Sequence, residues 1–307
     1  MSSKNILVTG ASGFIGTQLV KQLNADGHQV SVLNGNILEF EVLKEQTSNF
    51  LNKKLADESS NVIVHLAGLS SPPKCESSPA DAFRVNTLGT SFLLESIRQS
   101  GQKNNLPHFI FASTAHVYDM PTDDSAITES TPIKIKNVYS ETKLQAEDIL
   151  NGFSIRNQMR VTILRLFNHA HISQSRDFLI PSIYHQIKEL GTTDKIVKVG
   201  NLDLYRDIGT IPDLMTAFQT VVSSNSYKSN FDIFNVCSGK AYHLMDIAKN
   251  IAIHLKRTDV QFVVESNRVR ANEIKKVVGS YEKMKSIFGW TPKNREFKNF
   301  FVDLESI

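Results

Sequence analysis

The sequence predicts an α/β chain in which a doubly wound parallel sheet is followed by a smaller α+β lobe. Three observations carry that prediction. Short β-branched runs alternate with helical periodicity through the first half. A Gly-x-x-Gly-x-x-Gly string joins the first run to the first helical stretch. Beyond about residue 168 the alternation loosens into polar loops and isolated strand candidates. Strands alternating with helices imply right-handed βαβ units and a parallel sheet. With 307 residues, 41% hydrophobic and 21% charged, the chain can bury a sizeable core, and a disordered main state is excluded.

Residues 6–8, 29–33, 62–66, 109–113 and 161–166 read as strands, bounded by Gly, Asn, Ser or Pro. Ile15, Leu19 and Leu23 recur at helical spacing after the first. Residues 82–98, with Phe83, Leu88, Leu93 and Leu94 and no internal proline, read as one helix. Residues 195–199 and 260–264 are strand candidates of the lobe. The expected division gives residues 1–168, with a returning segment at about 206–236, to the sheet domain. Residues 169–205 and 237–307 form the lobe.

The formal charge of +3, from 34 basic and 31 acidic side chains, is too small to mark a nucleic-acid partner. No apolar run approaches the roughly 18 residues of a membrane helix. The apolar stretch after the N-terminal Met1-Ser2-Ser3-Lys4-Asn5 is too short and glycine-rich for a signal peptide. Cys75 and Cys237 form no Cys-x-x-Cys pair, so neither structural zinc nor a disulfide scaffold is expected. The expectation is a soluble, cytoplasmic protein.

The glycine string follows the first strand and opens the first helix: Gly10, Ser12, Gly13, Phe14, Ile15 and Gly16. Gly10 permits a tight turn, Gly13 lets a pyrophosphate approach the backbone, and Gly16 lets helix and sheet pack closely. The helix N-terminus offers N–H groups and a positive dipole end to phosphates. A dinucleotide-binding Rossmann domain follows. The acid expected after the second strand to grip an adenosine 2′-hydroxyl is missing from Leu33-Asn34-Gly35-Asn36-Ile37. No Lys or Arg stands between Lys21 and Lys44 to clamp a 2′-phosphate. NAD and NADP therefore stay equally open.

Three Tyr-x-x-x-Lys spacings occur, at Tyr139/Lys143, Tyr184/Lys188 and Tyr281/Lys285. Context selects the first, because Tyr139 opens a helical pattern continued by Leu144, Ala146 and Leu150 and follows Thr114 at the end of an apolar strand. Four residues on a helix bring Tyr139 and Lys143 to one face. Lys143 would favour the phenolate, lower the phenol pKa and hold the nicotinamide ribose. Thr114 would bond the substrate oxygen that gains or loses a proton. The other two pairs are read as solvated surface pairs. His169 and His171 alternate at strand spacing without a third ligand, so no metal is expected.

These elements together resemble the extended short-chain dehydrogenase/reductases of the nucleotide-sugar epimerase/dehydratase family, over nearly the whole length. The resemblance implies that Asn36 and Ile37 meet the adenine, with Asn where the family has Asp. It also implies that Leu66, Ala67 and Gly68 line the cofactor, that Asn86 is the family's structural Asn, and that Ser113–Tyr118 is its Ser/Thr-x-x-Val-Tyr element. The segments 164–169, 174–178, 199–202, 206–207, 235–239 and 268–270 resemble GDP-4-keto-6-deoxymannose reductases. By that analogy Asn168, Arg206 and Arg270 face the nucleotide diphosphate, which guanidinium forks bind bidentately. His116 stands where a dehydratase of the family carries its acidic base, so the 4,6-dehydratase reading loses that base. His171-Ile172-Ser173 replaces the usual Gly-Pro-Gly.

The leading expectation is an NAD(P)H-dependent reductase of a 4-keto nucleotide sugar. The alternative is a nucleotide-sugar 4-epimerase using the same residues. A non-catalytic dinucleotide sensor is disfavoured by the complete Thr/Tyr/Lys trio. The resemblance further implies a homodimer, paired through helices at about residues 80–100 and 140–152.

Overall fold

A computed structural model describes residues 3–53, 61–102, 105–224, 229–269, 273–293 and 296–301. β1 (Asn5–Thr9), β2 (Gln29–Val32), β3 (Asn61–His65), β4 (His108–Thr114) and β5 (Val161–Leu166) lie within one residue of their expected ends. The chain then runs through β6 (Asn168–Ala170), β7 (Ile196–Val199) and β8 (Tyr205–Thr210) before β9 (Phe231–Val236) closes the main sheet. Strand order is β2-β1-β3-β4-β5-β9, with every pairing parallel. β1, β3, β4 and β5 are buried along their whole length, as strands covered on both faces must be.

The helices of this half are α1 (Phe14–Ala25), α2 (Phe40–Leu51), α3 (Pro72–Ser77), α4 (Pro79–Ala82), α5 (Gly89–Gln99) and α6 (Val138–Asn157). Leu43, Phe50, Leu93, Ile97, Ala146 and Leu150 from α2, α5 and α6 cover one face of the sheet. Leu19 and Leu23 of α1 cover the other, beside Leu214 and Phe218 of a later helix. Residues 82–98 are not one regular α-helix. The chain passes from α4 through a π-helical turn, Phe83–Leu88, before α5 begins. Asn86 sits buried in that turn, and its tertiary hydrogen bonds, described below, explain the irregularity.

After α7 (Leu179–Glu189), α8 (Ile211–Ser223) returns to the main sheet. β10 (Ala241–His243), α9 (Leu244–His254), β11 (Gln261–Val264), β12 (Lys276–Val277) and α10 (Glu282–Phe288) follow. β8 pairs with β6, β10 and β12, and β7 pairs with β11, which gives the lobe its two small sheets. Two expected boundaries therefore move. β8 belongs by its pairing to the lobe, whereas the sequence places a segment at about 206–236 with the sheet domain. Conversely, Met284 and Trp290 pack into the core shared by α1 and α8, returning residues near α10 to the sheet domain. Hydrophobic sequence alone does not say which of two cores an amphipathic segment joins.

In the sheet, strand order runs outward in two directions from β1, towards β2 and towards β3. Such a switch point opens a crevice at the C-terminal ends of the strands. The loop after β1 and the loop after β3 both end there. Among the described residues no helix is long and apolar enough to cross a membrane.

Candidate active site

The crevice is built from glycines that only glycine satisfies. Gly10 has φ +68°, and a Cβ on it would lie 2.6 Å from the Ala67 amide nitrogen. A Cβ on Gly16 would lie 2.2 Å from the Gly10 carbonyl oxygen, so α1 and the loop touch backbone to backbone. Gly13 N-caps α1 with no capping side chain. Ser12 and Gly13 are exposed, with Phe14 and Ile15 half-buried behind them. A helix N-terminus whose approach carries no side chain is what a pyrophosphate requires, and these residues fit a dinucleotide. Leu66 and Ala67 are half-buried and Gly68 is exposed across the loop. Ala67 N donates to Thr9 Oγ1 at 3.2 Å, tying the two loops together.

After β2, Gln46 of α2 pins the Asn34 backbone through Asn34 N–H to Oε1 (2.9 Å) and Nε2–H to Asn34 O (2.7 Å). Asn36 accepts from Leu38 N at 3.0 Å and is exposed. Ile37 is buried beneath Gly89, where a Cβ would meet its Cγ2 at 2.9 Å. Neutral carboxamides thus stand where an acid or a guanidinium would select one cofactor.

Thr114 ends β4 and Tyr139 opens α6, whose N-terminus is fixed by a capping box between Asn137 and Ser140. Glu76 Oε1 accepts from Val138 N at 2.8 Å, anchoring the same turn to α3. Thr114 Oγ1 accepts from His116 N (3.2 Å) and its hydroxyl faces the half-buried Tyr139 phenol. The expected lowering of the phenol pKa is corrected here. Burial pushes Tyr139 up to about 12, the Thr114 bond being the opposing influence. Lys143 is likewise buried, which draws it down to about 8 against the Glu147 charge, and its Nζ rests 4.3 Å from the centre of the Phe111 ring. The trio shares one pocket, with the Thr114 hydroxyl facing the phenol. His116 is half-buried with its ring edge-on to Tyr139, centroids 6.0 Å apart.

Of the other Tyr/Lys pairs, Lys188 lies over its own Tyr184 ring on α7, and Tyr281 packs against Gly239 and Trp290. On the lobe side, Asn168 is exposed at the start of β6. Arg206 is half-buried, its Nη1 donating to the carbonyls of Tyr205 (2.8 Å) and Ile274 (2.9 Å). Arg270 lies outside the described residues. His171 folds its turn back on itself, its N–H donating to Gln174 Oε1 at 2.8 Å, and its ring stacks on Phe14 with centroids 6.3 Å apart. His169 is turned to the Phe167 carbonyl instead.

A family model described as GDP-mannose 4,6 dehydratase matches residues 7–301. The chain belongs to that family. It is 27% identical to the GDP-6-deoxy-D-mannose reductase of Pseudomonas aeruginosa over 294 residues, covering 95% of this chain and 93% of the relative. It is 24% identical to the UDP-glucose 4-epimerase of Lactobacillus helveticus over 315 residues, covering 94% and 92%. Among solved structures, RMD from Pseudomonas aeruginosa complexed with NADPH superposes with a TM-score of 0.83 at 26% identity, over 99% of each chain. This member of the GDP-mannose 4,6-dehydratase family is accordingly a short-chain dehydrogenase/reductase-type enzyme that works with NAD or NADP.

Two groups in this family member escaped sequence reasoning. The first is a directed chain of hydrogen bonds under the crevice. Ala67 N–H donates to Thr9 Oγ1, and Thr90 Oγ1 donates to the Asn86 carbonyl at 2.7 Å. His65 bridges the two threonines, Nδ1 to Thr9 (2.6 Å) and Nε2 to Thr90 (3.0 Å). The donors fix the ring as the Nε2–H tautomer, and burial holds its pKa down at about 3. Asn86 continues the chain. It accepts from Leu69 N (2.7 Å) and donates to Thr142 Oγ1 (2.9 Å), which bonds the Tyr139 carbonyl. The second group is a buried ion pair, Glu147 with Arg165. A charged residue inside the apolar run 161–166 was its one visible signal.

Proposed function

We propose that this enzyme reduces the 4-keto group of a nucleotide-linked 6-deoxyhexose. The observation that supports the reading best is the Thr114–Tyr139 pair, a hydroxyl beside a half-buried phenol that keeps its proton, at the mouth of a dinucleotide crevice. The similarity to a GDP-6-deoxy-D-mannose reductase points the same way.

In this reading a bound dihydronicotinamide supplies hydride to sugar C4. Thr114 and Tyr139 bond the C4 carbonyl oxygen, Tyr139 delivers its proton as charge develops there, and Thr114 stabilises the phenolate left behind. Lys143 holds the cofactor ribose and offers positive charge to the same pocket. Gly10, Ser12, Gly13 and Gly16 receive the pyrophosphate. Asn168 and Arg206 serve the substrate diphosphate, a role that Arg270 shares by its sequence alone. Dehydration is disfavoured because His116, not a carboxylate, stands two residues after Thr114. The working form is taken to be a cytoplasmic homodimer paired through α5 and α6.

Oxidation of NADH and of NADPH by the purified protein, each with a panel of 4-keto-6-deoxy nucleotide sugars, tests this. Consumption with one member is the expected result. The 4-epimerase is the second reading, favoured by the match to UDP-glucose 4-epimerases. Absence of consumption, together with NAD+ carried through purification and interconversion of 4-epimers, would replace the first with the second.

A further inference from the structure

We infer that the buried Glu147–Arg165 ion pair is a positioning device for Lys143, with Glu147 as the counter-charge that keeps the ammonium in place for the cofactor. This rests on the proposed role of Lys143 in holding the nicotinamide ribose.

Glu147 lies one turn after Lys143 on α6 and so on the same face. It is 3% exposed and Arg165 4%. Arg165 Nε and Nη2 donate to the two carboxylate oxygens at 3.1 and 2.6 Å, and Ser113 Oγ donates to Oε1 as well. One carboxylate therefore ties α6 to β4, at the residue before Thr114, and to β5. The Arg165 guanidinium is itself seated on the Tyr118 ring, 4.7 Å from its centre.

Stability does not explain such a pair. Two charges removed from water gain little over well-packed apolar residues of the same volume. Their effect on the site does. The titratable groups that bear on Lys143 are Glu147 from its own helix, Cys75 from α3 and His65 from β3, with the Phe111 ring of β4 against its Nζ and Tyr139 one turn earlier on α6. Burial pushes the Cys75 thiol up, Tyr139 keeps its proton to about 12, and His65 is neutral. Glu147 is the one carboxylate among these, held in its ion pair with Arg165. In a pocket where desolvation works against the ammonium, it is the largest influence in the ammonium's favour. Arg165 and Ser113 fix where the Glu147 carboxylate sits beneath α6.

Sugar-free NADH binding, followed by fluorescence from pH 6.5 to 9.5, tests this. Wild-type affinity falls as Lys143 loses its proton, and in Lys143→Met the affinity is low with that fall abolished. Glu147→Gln should move the fall to lower pH by about one unit. Glu147→Gln leaves Arg165 buried without its partner, which works against folding. The double variant Glu147→Gln/Arg165→Met removes both charges, leaves neither unpaired, and should show a smaller displacement in the same direction. A wild-type midpoint in the folded Glu147 variants, with the fall still absent in Lys143→Met, would overturn the positioning role alone. A wild-type pH profile in Lys143→Met would instead overturn the role given to Lys143.

Discussion

Tyr139 serves as a proton donor only while it holds its proton, and burial ensures that it does. With the phenol near 12, delivery of the proton depends on charge forming on the substrate oxygen and on Thr114 stabilising the phenolate. Tyr139→Phe should lower kcat by about a hundredfold or more while NADH affinity stays within a few-fold of wild type; unchanged turnover would refute the donor assignment. Gly16→Ala has no side chain to push aside, since its Cβ would meet the Gly10 carbonyl at 2.2 Å. Overpacking against backbone costs about 1–3 kcal/mol, so a lower urea midpoint and weakened NADH binding are expected together. Thr114, Tyr139 and Lys143 were legible because helical spacing brings two of them to one face. The direction of the phenol's shift was not, because it depends on desolvation and on which neighbour's hydrogen reaches the oxygen.

Helix α6 supplies two members of the trio and the positioning carboxylate, so its N-terminal geometry sets the site. Asn137 accepts from Ser140 N at 2.8 Å and closes the capping box one residue before the helix begins. Asn137→Ala should cost about 1 kcal/mol of stability. Because Tyr139 lies in the first turn, the same substitution should lower kcat more than it raises KM. Equal stability by urea unfolding would show the cap to be redundant with the Glu76 bond. The strands and α6 could be read from periodicity. The π-helical turn could not, since residues 82–98 are apolar at regular spacing. Its irregularity follows from Asn86, whose carboxamide is satisfied by Leu69 and Thr142, distant in sequence.

For the molecule as a whole, the crevice is held between two bodies that touch at named points. Phe14 of the phosphate loop stacks on His171 of the lobe, and Lys74 pairs with Asp177 at 3.2 Å across the opening. The buried His65 network gives the fold an acid-sensitive element. Folded His65 stays neutral down to about 3, whereas an unfolded histidine takes up its proton near the ordinary 6.5. Between those values the unfolded chain binds more protons, so stability falls as pH falls through that window. His65 alone should account for about 2 kcal/mol lost by pH 5. Urea unfolding at pH 7 and pH 5 should show a smaller loss in His65→Gln than in wild type, and an equal loss would assign the acid sensitivity to other groups. Sedimentation at micromolar concentration should give a dimer, and a monomer would remove the proposed α5/α6 pairing.

By itself the sequence determined the elements and the local chemistry. Periodicity of two or 3.6 residues, a glycine string at a strand–helix junction and a four-residue spacing are all properties of nearby residues. Tertiary structure alone decided the pairing of β8 with the lobe, the return of α10 to the sheet domain, the protonation of Tyr139 and the partnership of Glu147 with Arg165. Each of these depends on residues far apart in the chain being desolvated together, and burial, which no local pattern encodes, is what sets the energies of buried charges and phenols.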